Sequence, residues 1–310
     1  MTDKERADHE PAGSDLPETD PADIDKSQVE PPSDVPEALG LAMEPLISRA
    51  VEQAAFAPTS SGRSSMHRRW WGRHVSEVRW QAELARLSVD PVYYGFGVPH
   101  GDGRPVVLVP GFLAADVSLS VMGNWLWRLG YRAHGSGIRL ANVDCSDRAV
   151  DRIERRVEAI AERAGRKVSL IGHSRGGLFV KALTHRRPDL VHSAVSMGAA
   201  LDQPYDISVP TKAMVAATRR VLITTSTKAR EHGCLTRRCA CPFTRDFDAQ
   251  FPSSVTMTSI YSRGDGVVWW PSCIVPYATN VEVSGSHVGL AFNRKAYRAV
   301  ATALAAPAPV

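Results

Sequence analysis

The sequence predicts an α/β protein, built as a mostly parallel sheet with helices on both faces. Three observations carry that expectation. From residue 105 onward, short apolar runs recur, and longer stretches of helical periodicity separate them. One such run, Val168–Ile171, passes through a glycine-flanked turn straight into a helical pattern. Parallel strands need crossovers long enough to hold a helix, and this alternation supplies them. With 310 residues, 44% hydrophobic and 23% charged, the chain also has material for one large core.

Residues 1–40 hold twelve Asp/Glu against three Lys/Arg, with many prolines and almost no aromatic or β-branched side chains. Such a segment buries too little apolar surface to offset its ordering entropy and is expected to be a disordered acidic tail. Residues 41–90 form a helical N-terminal extension. Met43, Leu46, Ile47, Ala50, Val51 and Ala54 share one helical face, and Trp80, Leu84 and Leu87 another. Residues 91–310 are the α/β domain. Val106–Val109 reads as a strand, Leu119–Leu129 as a helix, and Tyr131–Gly135 as a second strand. Val150, Ile153, Val157 and Ile160 mark an amphipathic helix. The strand Val168–Ile171, a helix over Gly176–Arg187 and the strand Val191–Met197 follow. Residues 203–252 break the rhythm as a partly helical cap. Strands at Val255–Tyr261 and Thr279–Val283 resume it, and a helix presenting Tyr297, Val300, Ala301 and Leu304 closes the chain.

The turn after Val168–Ile171 is Gly172-His173-Ser174-Arg175-Gly176. A nucleophile at a sharp strand-to-helix turn takes a strained backbone conformation, and only tiny residues fit two positions before and after it. A serine hydroxyl is a poor nucleophile until a histidine removes its proton, and the histidine needs a carboxylate to hold its tautomer. Downstream of Ser174 stand His185, His192, His232 and His287. Only His287, in Gly285-Ser286-His287-Val288-Gly289-Leu290, lies in the loop between the last strand and the last helix. Asp265, on the glycine-flanked loop one strand earlier, is the preferred acid, and Asp202 is its rival. The backbone N–H groups of Phe112 and Arg175 are the expected oxyanion donors. His100-Gly101 precedes the first strand and is set aside.

These stretches, together with Val107-Leu108-Val109-Pro110-Gly111-Phe112, resemble the α/β-hydrolase superfamily, within it the bacterial triacylglycerol lipases and esterases. The resemblance covers roughly residues 91–300. It implies a Ser174–His287–Asp265 triad, an acyl-enzyme intermediate, no cofactor and cleavage of a small-molecule or lipid ester. Many lipases carry histidine where this chain has Pro110. Fold does not set substrate, so acyl transfer or thioester hydrolysis on acyl-CoA-like substrates stays open. So does a catalytically idle scaffold that binds lipid or nucleic acid.

Other features point less sharply. The net charge of +4 divides into −9 over residues 1–40 and +13 elsewhere. The basic body reads first as a solvated surface, and the Arg68-Arg69-Trp70-Trp71-Gly72-Arg73 run as tryptophans packed on the body with arginines in solvent. Peripheral contact with anionic lipid is the alternative, and no nucleic-acid partner is expected. Trp269-Trp270 either lines an acyl pocket or covers the core. Cys234-x4-Cys239-x-Cys241, with His232 nearby and Cys273 downstream, departs from the C-x2-C pairs of structural zinc. No metal is therefore expected. A disulfide bracing the cap against the Asp265 loop and simple free thiols both remain open. No apolar run approaches the ~20 residues of a membrane span, and no secretory signal opens the chain, so a cytoplasmic protein is expected.

Overall fold

The computed structural model describes residues 74–236 and 239–307. The acidic tail, the first helix of the extension and the Arg68–Arg73 run lie outside the described residues. The extension enters as a 3-10 turn at His74–Arg79 and continues as helix α1, Trp80–Ser88.

Six parallel strands follow: β1 Pro105–Val109, β2 Arg132–Gly135, β3 Val168–His173, β4 Val191–Met197, β5 Thr256–Ser262 and β6 Thr279–Val283. They pair in the order β2-β1-β3-β4-β5-β6. The sheet starts one strand in from an edge, adds β2 at that edge, then crosses back and proceeds to β6. Helices connect the strands: α2 Ser120–Arg128, α3 Ser146–Ala164, α4 Arg175–Arg186 and, after the last strand, α8 Arg294–Ala305. Between β4 and β5 lies the cap, with α5 Val209–Thr225, α6 Thr227–Glu231 and α7 Pro242–Asp248.

The two main core clusters lie on opposite faces because successive strand residues point to opposite sides of a sheet. Val107, Val109 and Leu170 join α3, α4 and the cap residues Phe243 and Phe247 in one cluster. Val106, Leu108 and Ile171 join α2, α8 and Leu87 of α1 in the other. Strands buried on both faces read as continuous apolar runs, which is why β1 is fully buried along its length. Helix α3 buries Val150, Ile153, Val157 and Ile160 at the expected three- and four-residue spacing.

All six strands run the same way, so their C-terminal ends share one edge. Phe112 follows β1, Ser174 follows β3, Asp265 follows β5 and His287 follows β6. Open parallel sheets bind ligands outside this edge.

Candidate active site

Ser174 occupies the turn between β3 and α4 with φ 54° and ψ −123°. This region is costly for a residue with a Cβ, and surrounding structure must enforce it. Two hydrogen bonds do so. The Ser174 N–H donates to the Met197 carbonyl at 2.8 Å, and its carbonyl accepts from the Gly177 N–H at 2.9 Å. The flanking glycines are required by space. A Cβ on Gly172 would lie 2.4 Å from the Gly176 backbone, and one on Gly176 would lie 2.2 Å from the Val109 carbonyl oxygen.

Asp265 is buried, and both its oxygens are engaged. Oδ1 accepts from the Val267 and Val268 N–H groups at 2.8 and 2.7 Å, fixing the carboxylate on its loop. Oδ2 lies 2.7 Å from His287 Nδ1. A carboxylate oxygen only accepts, so the imidazole carries its proton on Nδ1 and leaves Nε2 free to take one. Burial pulls the His287 pKa down, but Asp265, through charge and hydrogen bond, and the charge of Glu77 outweigh it. The net shift is upward from the ordinary 6.5.

The structure pairs His287 with Asp265 and not with Asp202, which is exposed and donates its N–H to the Ser272 carbonyl. Ser174 Oγ and the His287 ring exchange no hydrogen bond in this structure. His173, the neighbour of Ser174, ties the elbow to the His287 loop. Its ring lies 5.0 Å from that of His287, centroid to centroid, and its Nε2 donates to the His287 carbonyl at 3.0 Å. Burial, then the nearby His287 charge, pushes the His173 pKa down to about 4, so this ring stays neutral.

Ser174, Arg175 and Phe112 line one cavity of about 440 Å³. Its walls include Leu178, Ile207, Val215, Leu235, Phe243 and Phe247, so a substrate's apolar part would find matching surface there. Val267 and Val268 also contribute, whereas Trp269 and Trp270 are not among the lining residues. Trp270 instead stacks on Tyr261 at 5.9 Å. Phe112 and Arg175 both line this cavity, and Arg175 opens α4, whose first N–H groups have no intrahelical acceptor.

Sequence reasoning missed three polar residues that hold these loops. Glu77 accepts the Gly266 and His287 N–H groups on Oε1 at 3.1 and 3.0 Å, and the Val288 N–H on Oε2 at 3.0 Å. One carboxylate thus ties the Asp265 loop to the His287 loop. Glu83 accepts the Ser286 N–H and hydroxyl at 3.0 and 2.9 Å. Gly289 makes room, because a Cβ there would fall on the Glu83 carboxylate. Asn142, buried, donates to the Pro110 carbonyl at 2.8 Å and accepts from Arg175 Nη1 at 2.9 Å on both its side chain and its carbonyl. It locks together the loops carrying the two expected oxyanion donors. Pro110 takes part through its carbonyl, a group any residue at this position would offer.

All five cysteines carry free thiols. Cys273 is buried near Asp265 and braces nothing, whereas Cys145, Cys234 and Cys241 converge elsewhere. Among the described residues, no helix is long and apolar enough to cross a membrane.

A six-stranded parallel sheet with a strained serine elbow after β3 and an Asp–His pair supplied by the loops after β5 and β6 is the α/β-hydrolase fold. No family model matches the chain. Among solved structures it is similar to the mature Bacillus licheniformis lipase BlEst2, at 14% identity over 67% of this chain and 94% of that one, with a TM-score of 0.45. It is likewise similar to Aspergillus fumigatus lipase B, at 16% identity over 68% and 55% with a TM-score of 0.47. A third likeness is to a thioesterase domain from the curacin biosynthetic pathway, at 14% identity over 65% and 90% with a TM-score of 0.41.

Proposed function

We propose that this chain is a serine hydrolase that cleaves carboxylic esters through an acyl-enzyme on Ser174. One observation carries the proposal: a serine held at φ 54° on a strand-to-helix elbow, opening into a largely apolar cavity at the edge that also bears a buried Asp265–His287 pair. Strain of this kind persists where function uses it.

In the proposed reaction, Ser174 Oγ attacks the acyl carbon as its proton passes to His287 Nε2. The handover requires the two side chains to close up once substrate is bound, as catalytic hydrogen bonds commonly do. Asp265 stabilises the imidazolium that forms. The N–H groups of Phe112 and Arg175 hold the oxyanion. His287 then returns the proton to the departing alcohol. Water, deprotonated by His287, attacks the acyl carbon, releases the acid and regenerates Ser174. The apolar walls would take the acyl chain, and no cofactor enters any step.

A fluorophosphonate probe tests the mechanism. Wild type should label and Ser174→Ala should not, and an unlabelled wild type would leave only an idle scaffold. Hydrolysis of p-nitrophenyl esters of graded length, run beside acyl-CoA with and without acceptor alcohols, tests the substrate class. Turnover of acyl-CoA alone would overturn the ester reading in favour of a thioesterase or acyltransferase.

A further inference from the structure

Three thiols from distant parts of the chain meet in the wall between cap and body. Cys234 Sγ lies 2.8 Å from Cys145 Sγ and 3.3 Å from Cys241 Sγ, and Cys145 and Cys241 are 3.4 Å apart. All three side chains are buried. His232 joins them from the rim, its Nδ1 3.6 Å from Cys241 Sγ. Thiols are weak donors and weak acceptors, so three of them gain little from crowding one another. We propose that Cys145, Cys234 and Cys241 bind one zinc ion, with exposed His232 turning in from the rim as the fourth ligand.

The three sulfurs are close enough together for one ion to reach, and spreading to the S···S edges of about 3.8 Å of a tetrahedral site would relieve their crowding. The sulfur triangle has a circumradius of about 1.8 Å, shorter than a Zn–S bond of about 2.3 Å, so a point on either side of its plane lies at bonding distance from all three. A tetrahedral site with Zn–S near 2.3 Å and Zn–N near 2.0 Å has an S···N edge of about 3.5 Å, close to the 3.6 Å between His232 Nδ1 and Cys241 Sγ. A disulfide would need one pair drawn to about 2.05 Å and would leave the third thiol and the imidazole without purpose.

Charge also fits. Three thiolates, a neutral imidazole and Zn²⁺ leave a net −1 in a buried place. The Arg175 guanidinium stands beside it, donating from Nη2 to the Asp144 carbonyl at 2.6 Å and to Ser146 Oγ at 3.2 Å, on either side of Cys145. Arg175 remains a cation although burial pulls its pKa down to about 10. On binding, each of the three thiols loses its proton to solvent. Three protons therefore leave per ion.

The site would clip the cap to the body. Cys145 immediately precedes α3, while Cys234 and Cys241 bracket a cap loop whose Leu235 and Thr236 line the cavity. Its existence does not depend on the reaction proposed above.

The test is metal analysis of the full-length protein, purified in reductant without chelator, by plasma mass spectrometry. About one zinc per chain is expected, with three protons released when zinc is returned to the stripped protein in weak buffer. Cys145→Ser and Cys234→Ser should lose the ion, and His232→Ala should bind it at least tenfold more weakly. Zinc well below one per chain, or a Cys145–Cys234 or Cys145–Cys241 disulfide in a non-reducing peptide map, would overturn the site. If His232→Ala binds as wild type does while Cys239→Ser does not, the fourth ligand is overturned. Stoichiometry and peptide map use only wild type, so misfolded variants would not blunt the test.

Discussion

At the scale of single residues, the proposed base is governed by carboxylates on two sides. Asp265 raises the His287 pKa directly, and Glu77 raises it from the 3-10 turn ahead of α1. A general base works only when neutral, so a raised pKa moves the acidic limb of the rate profile to higher pH. Ester hydrolysis should therefore rise with pH through an inflection above 6.5, the ordinary histidine value. Glu77→Gln removes the charge but keeps an amide oxygen for the Gly266 and His287 N–H groups, and loses only the acceptor for Val288. Its inflection should fall toward lower pH with kcat modestly reduced. Glu77→Ala removes all three bonds and frees both loops, and displacement by about 1 Å can cost ~10²-fold. The expected order of kcat is wild type, Gln, Ala, with KM little changed, because Glu77 is not among the cavity-lining residues. An unmoved inflection in Glu77→Gln would show that its charge does not reach the base.

At the scale of elements, the elbow exists because β1, β3 and α4 approach too closely for any side chain at Gly176. Its Cβ would meet the Val109 backbone, which cannot rotate away as a side chain can. Gly176→Ala should thus cost about 3 kcal/mol, the upper end for overpacking, read as a lowered denaturant midpoint together with lost probe labelling. Stability within about 0.5 kcal/mol of wild type would mean that the strand and helix part more easily than their contacts suggest. This elbow was legible in the sequence because its signal is local: an apolar strand, two glycines and a helical run within a score of residues. The Asp265 and His287 loops were legible for a similar reason, each lying just beyond a strand. Glu77 was not, because it acts on backbone amides 189 to 211 residues away and leaves no periodic trace. Asn142 looked like any loop asparagine for the same reason. The thiol cluster defeated spacing rules because its first member, Cys145, sits 89 residues before Cys234, and only the fold brings the two together.

At the scale of the whole molecule, the cap behaves as part of the body. Phe243 and Phe247 of α7 sit in the same apolar cluster as α3 and α4, and Arg186 adds an ionic fastening among those three helices. Arg186, at the end of α4, reaches Asp246 of α7 at 2.7 Å and Asp151, Glu154 and Asp147 of α3 at 2.7, 3.2 and 3.3 Å. The partners differ in kind. Asp151 is well exposed and keeps its water, so its pairing contributes little. Asp246 is 3% exposed, and its other partner, Arg245, is largely in solvent. Removing Arg186 leaves a buried carboxylate nearly unpaired, a change that costs about 3 kcal/mol. For a chain of this size that corresponds to a fall in melting temperature of about 6–12 °C. Arg186→Met should show that loss, and high salt should return only the part due to repulsion among the α3 acids. Arg186→Met combined with Asp246→Leu should recover most of it, because an apolar pair of similar volume replaces a costly buried charge. If the double variant is no more stable than the single one, the fastening lies in the α3 acids, and the cap is held by its phenylalanines.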